Sequence, residues 1–163
     1  MNDFTDLDHV FMKRAFELAN HAEQLGEIPI GAVLTLDGKI IGEGYNRSII
    51  DNDPTAHAEI VAIRQAAKNN QNYRLPNATL YVTLEPCSMC AGAIVHSRVK
   101  RLVYGAKDEK TGACGSMFDV ISTNHKNHRI LPEQGLMAEE AADLLSNFFK
   151  RRRAEIKSNK HSK

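Results

Sequence analysis

Residues 79–95 read TLYVTLEPCSMCAGAIV. The first six are β-branched, aromatic or leucine side chains, the composition of a buried strand. Pro86 then removes a ladder donor and suits the first turn of a helix, and residues 87–95 are helix-compatible. A strand that turns a short corner into a helix is the building unit of an α/β layer fold. Upstream, residues 58–67 are helix-forming, and 30–36 and 39–45 are β-compatible runs separated by Asp37-Gly38, a two-residue hairpin signal. Before them Phe11, Ala15, Leu18, Ala22 and Leu25 repeat at helical spacing. Thr5 and Asp8 are placed for a capping box, and Gly26 sits where a C-cap glycine belongs. Downstream come a short strand over 101–104, a loop from Gly105 to about Asn127 and a weak strand near 129–131. A last helix carries a stripe of Ala141, Leu145 and Phe148. The order α-β-β-α-β-α-β-loop-β-α predicts a three-layer α/β architecture with helices on both faces of the sheet.

The chain has 163 residues, the size of one domain, and neither an internal repeat nor an interdomain linker interrupts it. With 42% hydrophobic and 25% charged residues, 10 Gly and 5 Pro, collagen-like and wholly disordered readings are excluded. No apolar run reaches the roughly 18–20 residues of a membrane span, and the opening MNDFTDLDHV lacks signal-peptide order, so a cytoplasmic protein is expected. The net charge of +1 conceals an asymmetry. From Lys150 onward seven basic residues face one acid, a net +6 on a body of −5. A basic end of this kind suits an anionic partner, although a solvated helix end has the same composition.

The chemistry concentrates at two helix starts, His57-Ala58-Glu59 and Pro86-Cys87-Ser88-Met89-Cys90. Cys87 and Cys90, three apart, share a face of a first helical turn, where the helix dipole favours thiolates. Zinc takes Cys and His tetrahedrally, and a catalytic site keeps three protein ligands with water in the fourth position, so His57 is the candidate third ligand. Glu59 is the candidate general acid and base. The Cys-x-x-Cys pair alone equally suits half of a structural zinc site, a redox pair or coincidence. A closed zinc site finds no second pair at finger spacing among Cys114, His9, His21, His96, His125, His128 and His161. The redox reading leaves His57 and Glu59 without a role. Cys114 is expected as a packed thiol and His96 as a structural residue.

His-x-Glu joined to Pro-Cys-x-x-Cys is the signature of zinc nucleobase deaminases. The chain resembles the cytidine/deoxycytidylate deaminase superfamily and, within it, the bacterial tRNA-specific adenosine deaminases. The resemblance rests on PIGAVL (29–34), GEGYNR (42–47), DPTAHAEI (53–60), NYRLPNATLYVTLEPCSMCAGAIVHSR (72–98), GAKDEKTGACGS (105–116), NHR (127–129) and LLSNFFKRRR (144–153). It implies a cytidine-deaminase-like α-β-α fold with a mixed five-stranded sheet. The deaminase domain would span 1–157, followed by a basic tail, 158–163. It also implies one zinc per chain on His57, Cys87 and Cys90. Water activated there would add to C6 of adenine while Glu59 carries protons to the ring and to departing ammonia, converting wobble adenosine to inosine in a tRNA anticodon stem-loop.

Further positions follow from the same resemblance. Asn46 matches the residue that hydrogen-bonds the flipped base, and Pro29, Ile30 and Leu84 match its pocket. Glu85 lies at the strand end beside the metal, where its backbone can meet the substrate, and Asp108 falls near the nucleotide backbone. Phe149 and the run Lys150, Arg151, Arg152 and Arg153 match the helix that approaches the anticodon loop. A homodimer is implied as well. Two other readings share the metal motif: a deaminase of free guanine, cytosine or cytidine, and a silent RNA-binding module that keeps zinc for stability. Neither needs both the basic end and Glu59.

Overall fold

The computed structural model describes residues 3–122 and 128–161. Asn127 of the NHR stretch, the expected loop end beside it, His125 and the end of the basic tail, residues 162 and 163, lie outside the described residues, as does the side chain of His161.

Thr5 is extended, its hydroxyl accepts the Asp8 N–H at 3.1 Å, and the Asp8 carboxylate accepts the Thr5 N–H at 3.0 Å. This capping box opens helix α1 (Asp6–Gln24). The helix ends before Leu25, and Gly26 takes a left-handed φ of +85°. Phe11, Ala15, Leu18 and Ala22 are buried together with Met12 and Ala19, whereas Leu25, beyond the last turn, is 46% exposed.

Strands β1 (Gly31–Leu36) and β2 (Lys39–Tyr45) form the expected hairpin, with Asp37 and Gly38 both at positive φ, as a type I′ turn requires. Helix α2 (Ala58–Asn69) leads to β3 (Thr79–Leu84), which pairs antiparallel with β1 on its other edge. Helix α3 (Ser88–His96) crosses to β4 (Arg101–Ala106), parallel to β3, and β5 (Leu131–Gln134) adds a second parallel pairing before helix α4 (Ala138–His161). The five-stranded sheet runs β2-β1-β3-β4-β5. The strand expected near 129–131 is therefore displaced to Leu131–Gln134. It is an edge strand containing Pro132 with no buried residue, so no alternating apolar signal marked it.

Both faces of the sheet are covered, and successive residues of the central strands point to opposite cores. Ala32, Leu34, Leu80, Val82, Leu102 and Tyr104 pack beneath α2 and α3. Val33, Tyr81 and Val103 pack beneath α1, on the side where Ala141 of α4 approaches Gly105. On β2, Gly42 and Gly44 let α2 lie almost on the backbone: a Cβ at either position would come within 2.5 Å of the Ala62 or Ala58 carbonyl oxygen. The alanine face of α2 (Ala58, Ala62, Ala66) is the complementary half of that close approach. It brings the start of α2 to the C-terminal end of β3, beside the start of α3.

Candidate active site

His57 and Cys87 occupy equivalent positions. Each is the extended N-cap residue of its helix, and neither side chain is used for capping. Both are therefore free to point across the gap between α2 and α3. The Nδ1 of His57 lies 3.6 Å from the Cys87 Sγ and 3.5 Å from the Cys90 Sγ, and the three donor atoms all fall within 4.8 Å of one another. Tetrahedral zinc with Zn–N of about 2.05 Å and Zn–S of about 2.3 Å needs N···S separations of about 3.6 Å. The donor set thus fits zinc in chemistry and spacing. Among the described residues the group comprises these three donors, the number that leaves one tetrahedral position for water.

The two thiols are free, and their protonation is shared. Cys87 is held well below the usual thiol range, first by a hydrogen bond from Cys90 and then by His57, while Cys90 is held high as the proton donor. The ring of His57 is drawn toward its charged form, chiefly by the Cys87 sulfur. Glu59, in the first turn of α2, is buried, and burial is the main cause that pushes its carboxyl up to about 7, with the Cys87 charge adding to it. A carboxyl balanced between its two forms near neutral pH is suited to moving a proton in either direction.

Asn46 follows β2 and is 7% exposed; its Oδ1 accepts the Ala58 N–H at 2.9 Å. It is a cap delivered from a distant strand, supplying the side-chain bond that the His57 N-cap lacks. With Oδ1 committed, Nδ2 is the donor left to the cavity that Asn46 lines.

That cavity has a volume of about 500 Å3, and His57, Glu59 and Cys87 are among its walls. Ile30, Leu84, Glu85, Asp108 and Phe149 line it as well, so most of the expected substrate residues converge. Pro29 does not: it is buried, and the wall is made by its neighbours Ile28 and Ile30. Asp108 is half-buried and accepts from the Lys110 and Thr111 N–H groups and from the Thr111 hydroxyl. It shapes its own loop. Lys150, Arg151, Arg152 and Arg153 lie outside the cavity on the exposed end of α4, and Arg151 is engaged within the chain, bonded to Glu23 of α1 at 2.8 Å and stacked over Phe148. Ala142, Leu145 and Phe149 bring one face of α4 to the cavity, and helical spacing continues that face into Arg152 and Arg153.

Cys114 is buried, and burial raises its thiol; His96 is exposed at the end of α3. Neither joins the donor group. Sequence reasoning missed the cavity residues Ile28, Lys107, Thr111, Ala142 and Leu145. The spacing of Ala142, Leu145 and Phe149 was a usable signal for α4, but nothing local distinguishes the loop residues. Among the described residues no helix is long and apolar enough to cross a membrane.

Two helices that each begin on a candidate metal donor, with a buried carboxyl in the first turn of one of them, place the molecule among the hydrolytic deaminases of cytidine-deaminase-like fold. Residues 5–153 match the MafB19-like deaminase family. The chain is 59% identical to the tRNA-specific adenosine deaminase of Haemophilus influenzae over 96% of its own length and 91% of the relative's. It is 43% identical to the enzyme of that name from Bacillus subtilis, over 93% and 94%. A solved structure from work on A-to-I editing by tRNA:A34 deaminases at the wobble position superposes with a TM-score of 0.80 at 47% identity, covering 83% of this chain and 99% of the other. The guanine deaminase of Nitrosomonas europaea superposes with a TM-score of 0.72 at 26% identity, over 86% and 83%. The chain belongs to this deaminase family, that of the tRNA-specific adenosine deaminases.

Proposed function

We propose that this protein hydrolyses wobble adenosine to inosine in a tRNA anticodon, using one zinc ion held by His57, Cys87 and Cys90. The observation that carries the reading is that Glu59, His57 and Cys87 line one cavity, with Cys90 buried behind them in the same donor group, and that the α4 wall of this cavity leads onto a basic helix end. Similarity to the Haemophilus influenzae and Bacillus subtilis enzymes supports the substrate.

When bound, zinc supplies Lewis-acid activation of water as the nucleophile at neutral pH. The chain's own residues do the rest. Ile30 and Leu84 give the base apolar walls, and Asn46 Nδ2 donates to a ring-nitrogen acceptor and so fixes which edge enters. Glu59 takes one proton from the attacking water and delivers it to the ring nitrogen beside C6, then takes the second from the hydroxyl added at C6 and delivers it to the amino group, which leaves as ammonia while C6 becomes a carbonyl. The raised carboxyl suits both transfers. Phe149 offers a stacking face at the cavity mouth, and Lys150, Arg152 and Arg153 offer charge to phosphates beyond it. Arg151 serves by holding α4 to α1. The working unit is a homodimer in the cytoplasm, with residues 1–157 as the deaminase domain and 158–163 as a basic tail.

The test is incubation of zinc-loaded protein with an anticodon stem-loop carrying adenosine at the wobble position, followed by nucleoside mass analysis, with Glu59→Ala as control. Inosine from wild type alone is expected. Its absence, alongside turnover of free guanine or cytosine, overturns the substrate assignment and leaves the deaminase site intact.

A further inference from the structure

Glu85 ends next to β3, and its backbone N–H donates to the Ala106 carbonyl at 2.8 Å, continuing the β3–β4 ladder. Its side chain enters the segment that follows β4. Oε1 accepts the Asp108 N–H at 3.1 Å and the Ser116 hydroxyl; Oε2 accepts the Cys114 N–H at 2.9 Å and the Ser116 N–H at 3.2 Å. Four donors occupy the acceptor sites of one carboxylate that is only 2% exposed. The segment also closes on the carboxylate sterically. A Cβ at Gly112 would stand 2.4 Å from Glu85 Cδ and 2.5 Å from Oε2, so glycine is what lets the turn pass. On its other side the Ala113 N–H donates to the Pro86 carbonyl at 2.8 Å.

Residues 107–111 form one wall of the cavity, and all of them except half-buried Asp108 are exposed. Within 108–116 only Ala113 and Cys114 pack in the hydrophobic core, so the exposed part of the wall depends on that seat and on the bonds at its base. The Asp108, Cys114 and Ser116 N–H groups and the Ser116 hydroxyl bond to Glu85, and the Ala113 N–H bonds to Pro86. The Asp108 carboxylate accepts from Lys110 and Thr111 within its own turn.

We propose that Glu85 is a positioning residue for substrate recognition: its buried carboxylate fixes residues 108–116 as the wall that holds the polynucleotide flanking the reacting base. It acts on binding and leaves bond breaking at the base to Glu59 and the metal. This rests on the reading of a polynucleotide substrate. A free-base deaminase would need the floor of the cavity but not this wall.

The experiment compares zinc-loaded wild type with Glu85→Gln and Ser116→Ala. A glutamine turned either way sets an amide NH2 against at least one backbone N–H donor. Ser116→Ala removes one donor from the loop side, spares Glu85 and serves should Glu85→Gln fail to fold. Hydrogen exchange of residues 108–116, zinc content, and KM and kcat on the anticodon stem-loop are measured together. In Glu85→Gln, exchange in 108–116 accelerates and KM rises, each about tenfold. Zinc stays at one per chain, kcat moves less than about threefold, and Ser116→Ala gives a smaller change of the same kind. The increase in KM for the double variant is less than the product of the single ones, because both substitutions act on one carboxylate. Unchanged exchange in both variants, a fall in kcat at constant KM, or zinc loss that accounts for the defect overturns the proposal. Exchange needs no substrate, so it tests the anchor by itself. Failure of wild type to make inosine overturns the substrate reading and, with it, the binding half of this proposal.

Discussion

The Oδ1 of Asn46 accepts the backbone N–H of Ala58 at 2.9 Å, so a residue just past β2 caps the helix that begins on His57. One oxygen thus joins the wall of the cavity to the positioning of a metal donor. Asn46→Ala removes both functions. It should cost about 1 kcal/mol as a lost cap, about 2–4 °C in Tm, and raise KM. Asn46→Asp keeps the capping oxygen and loses the Nδ2 donor, so Tm stays near wild type while KM rises. Thermal melts read beside stem-loop kinetics separate the two; equal Tm losses in both variants would refute the dual role.

Glu59→Gln is expected to lower kcat by about 10²–10⁴-fold with zinc content and Tm retained. Burial already raises the carboxyl to about 7, where the neutral form is well populated, so a neutral isostere does not strain the pocket. Elemental analysis and single-turnover rates check this.

Asp8 carries a second, purely structural relationship. Its carboxylate caps α1, accepts the Tyr81 hydroxyl at 2.6 Å and pairs with the Arg101 guanidinium at 2.8 and 2.9 Å. The Arg101 bonds, foremost, hold the Asp8 carboxyl well below the usual carboxylate range. The folded state therefore binds the Asp8 proton less readily than the unfolded chain. Its contribution is full above about pH 4, the unfolded value, and is lost as pH falls through the depressed folded value. Asp8→Asn should destabilise by roughly 2 kcal/mol at pH 7, by weakening the charge-assisted bonds to Arg101 while Arg101 keeps Glu133, and should lose less further stability on acidification than wild type. Urea melts between pH 2.5 and 7 measure both.

Removal of zinc by a chelator should expose one fast thiol. Cys87 is half-buried and thiolate-inclined, Cys90 is buried and held protonated, and Cys114 is raised by burial. Thiol titration of the metal-free folded protein should modify Cys87 first and Cys114 only on denaturation. Peptide mapping identifies the order.

Replacing Arg152 and Arg153 by Ala should weaken stem-loop binding and reduce the salt slope by about 0.7 per lost phosphate contact on single-stranded RNA. Tm should stay within about 1 °C, because both side chains are exposed. Arg151→Ala should behave differently, loosening α4 from Glu23 with little change in salt slope. Filter binding across a salt series distinguishes them.

The local rules that act within a few residues were legible: the Thr5–Asp8 box, the Asp37-Gly38 turn, the β-rich TLYVTL run and the two helix starts with their candidate metal donors. Each depends on backbone geometry or on ligand chemistry at short range, and each has a composition that marks it. The last strand was expected near 129–131 and lies at Leu131–Gln134, because an exposed edge buries nothing and leaves no period to fix its bounds.

The sequence by itself determined the layer order and singled out His57, Cys87 and Cys90 as candidate metal donors. His57 and the pair Cys87 and Cys90 lie 30 and more residues apart, however, and only the approach of α2 to the glycines of β2 sets their helix starts side by side. Tertiary structure likewise decided that Pro29 sits behind the wall, that Arg151 faces α1, and that Glu85 is a buried anchor. A carboxylate next to a strand end looks the same in sequence whether water or three backbone amides surround it. Long-range packing supplies those amides.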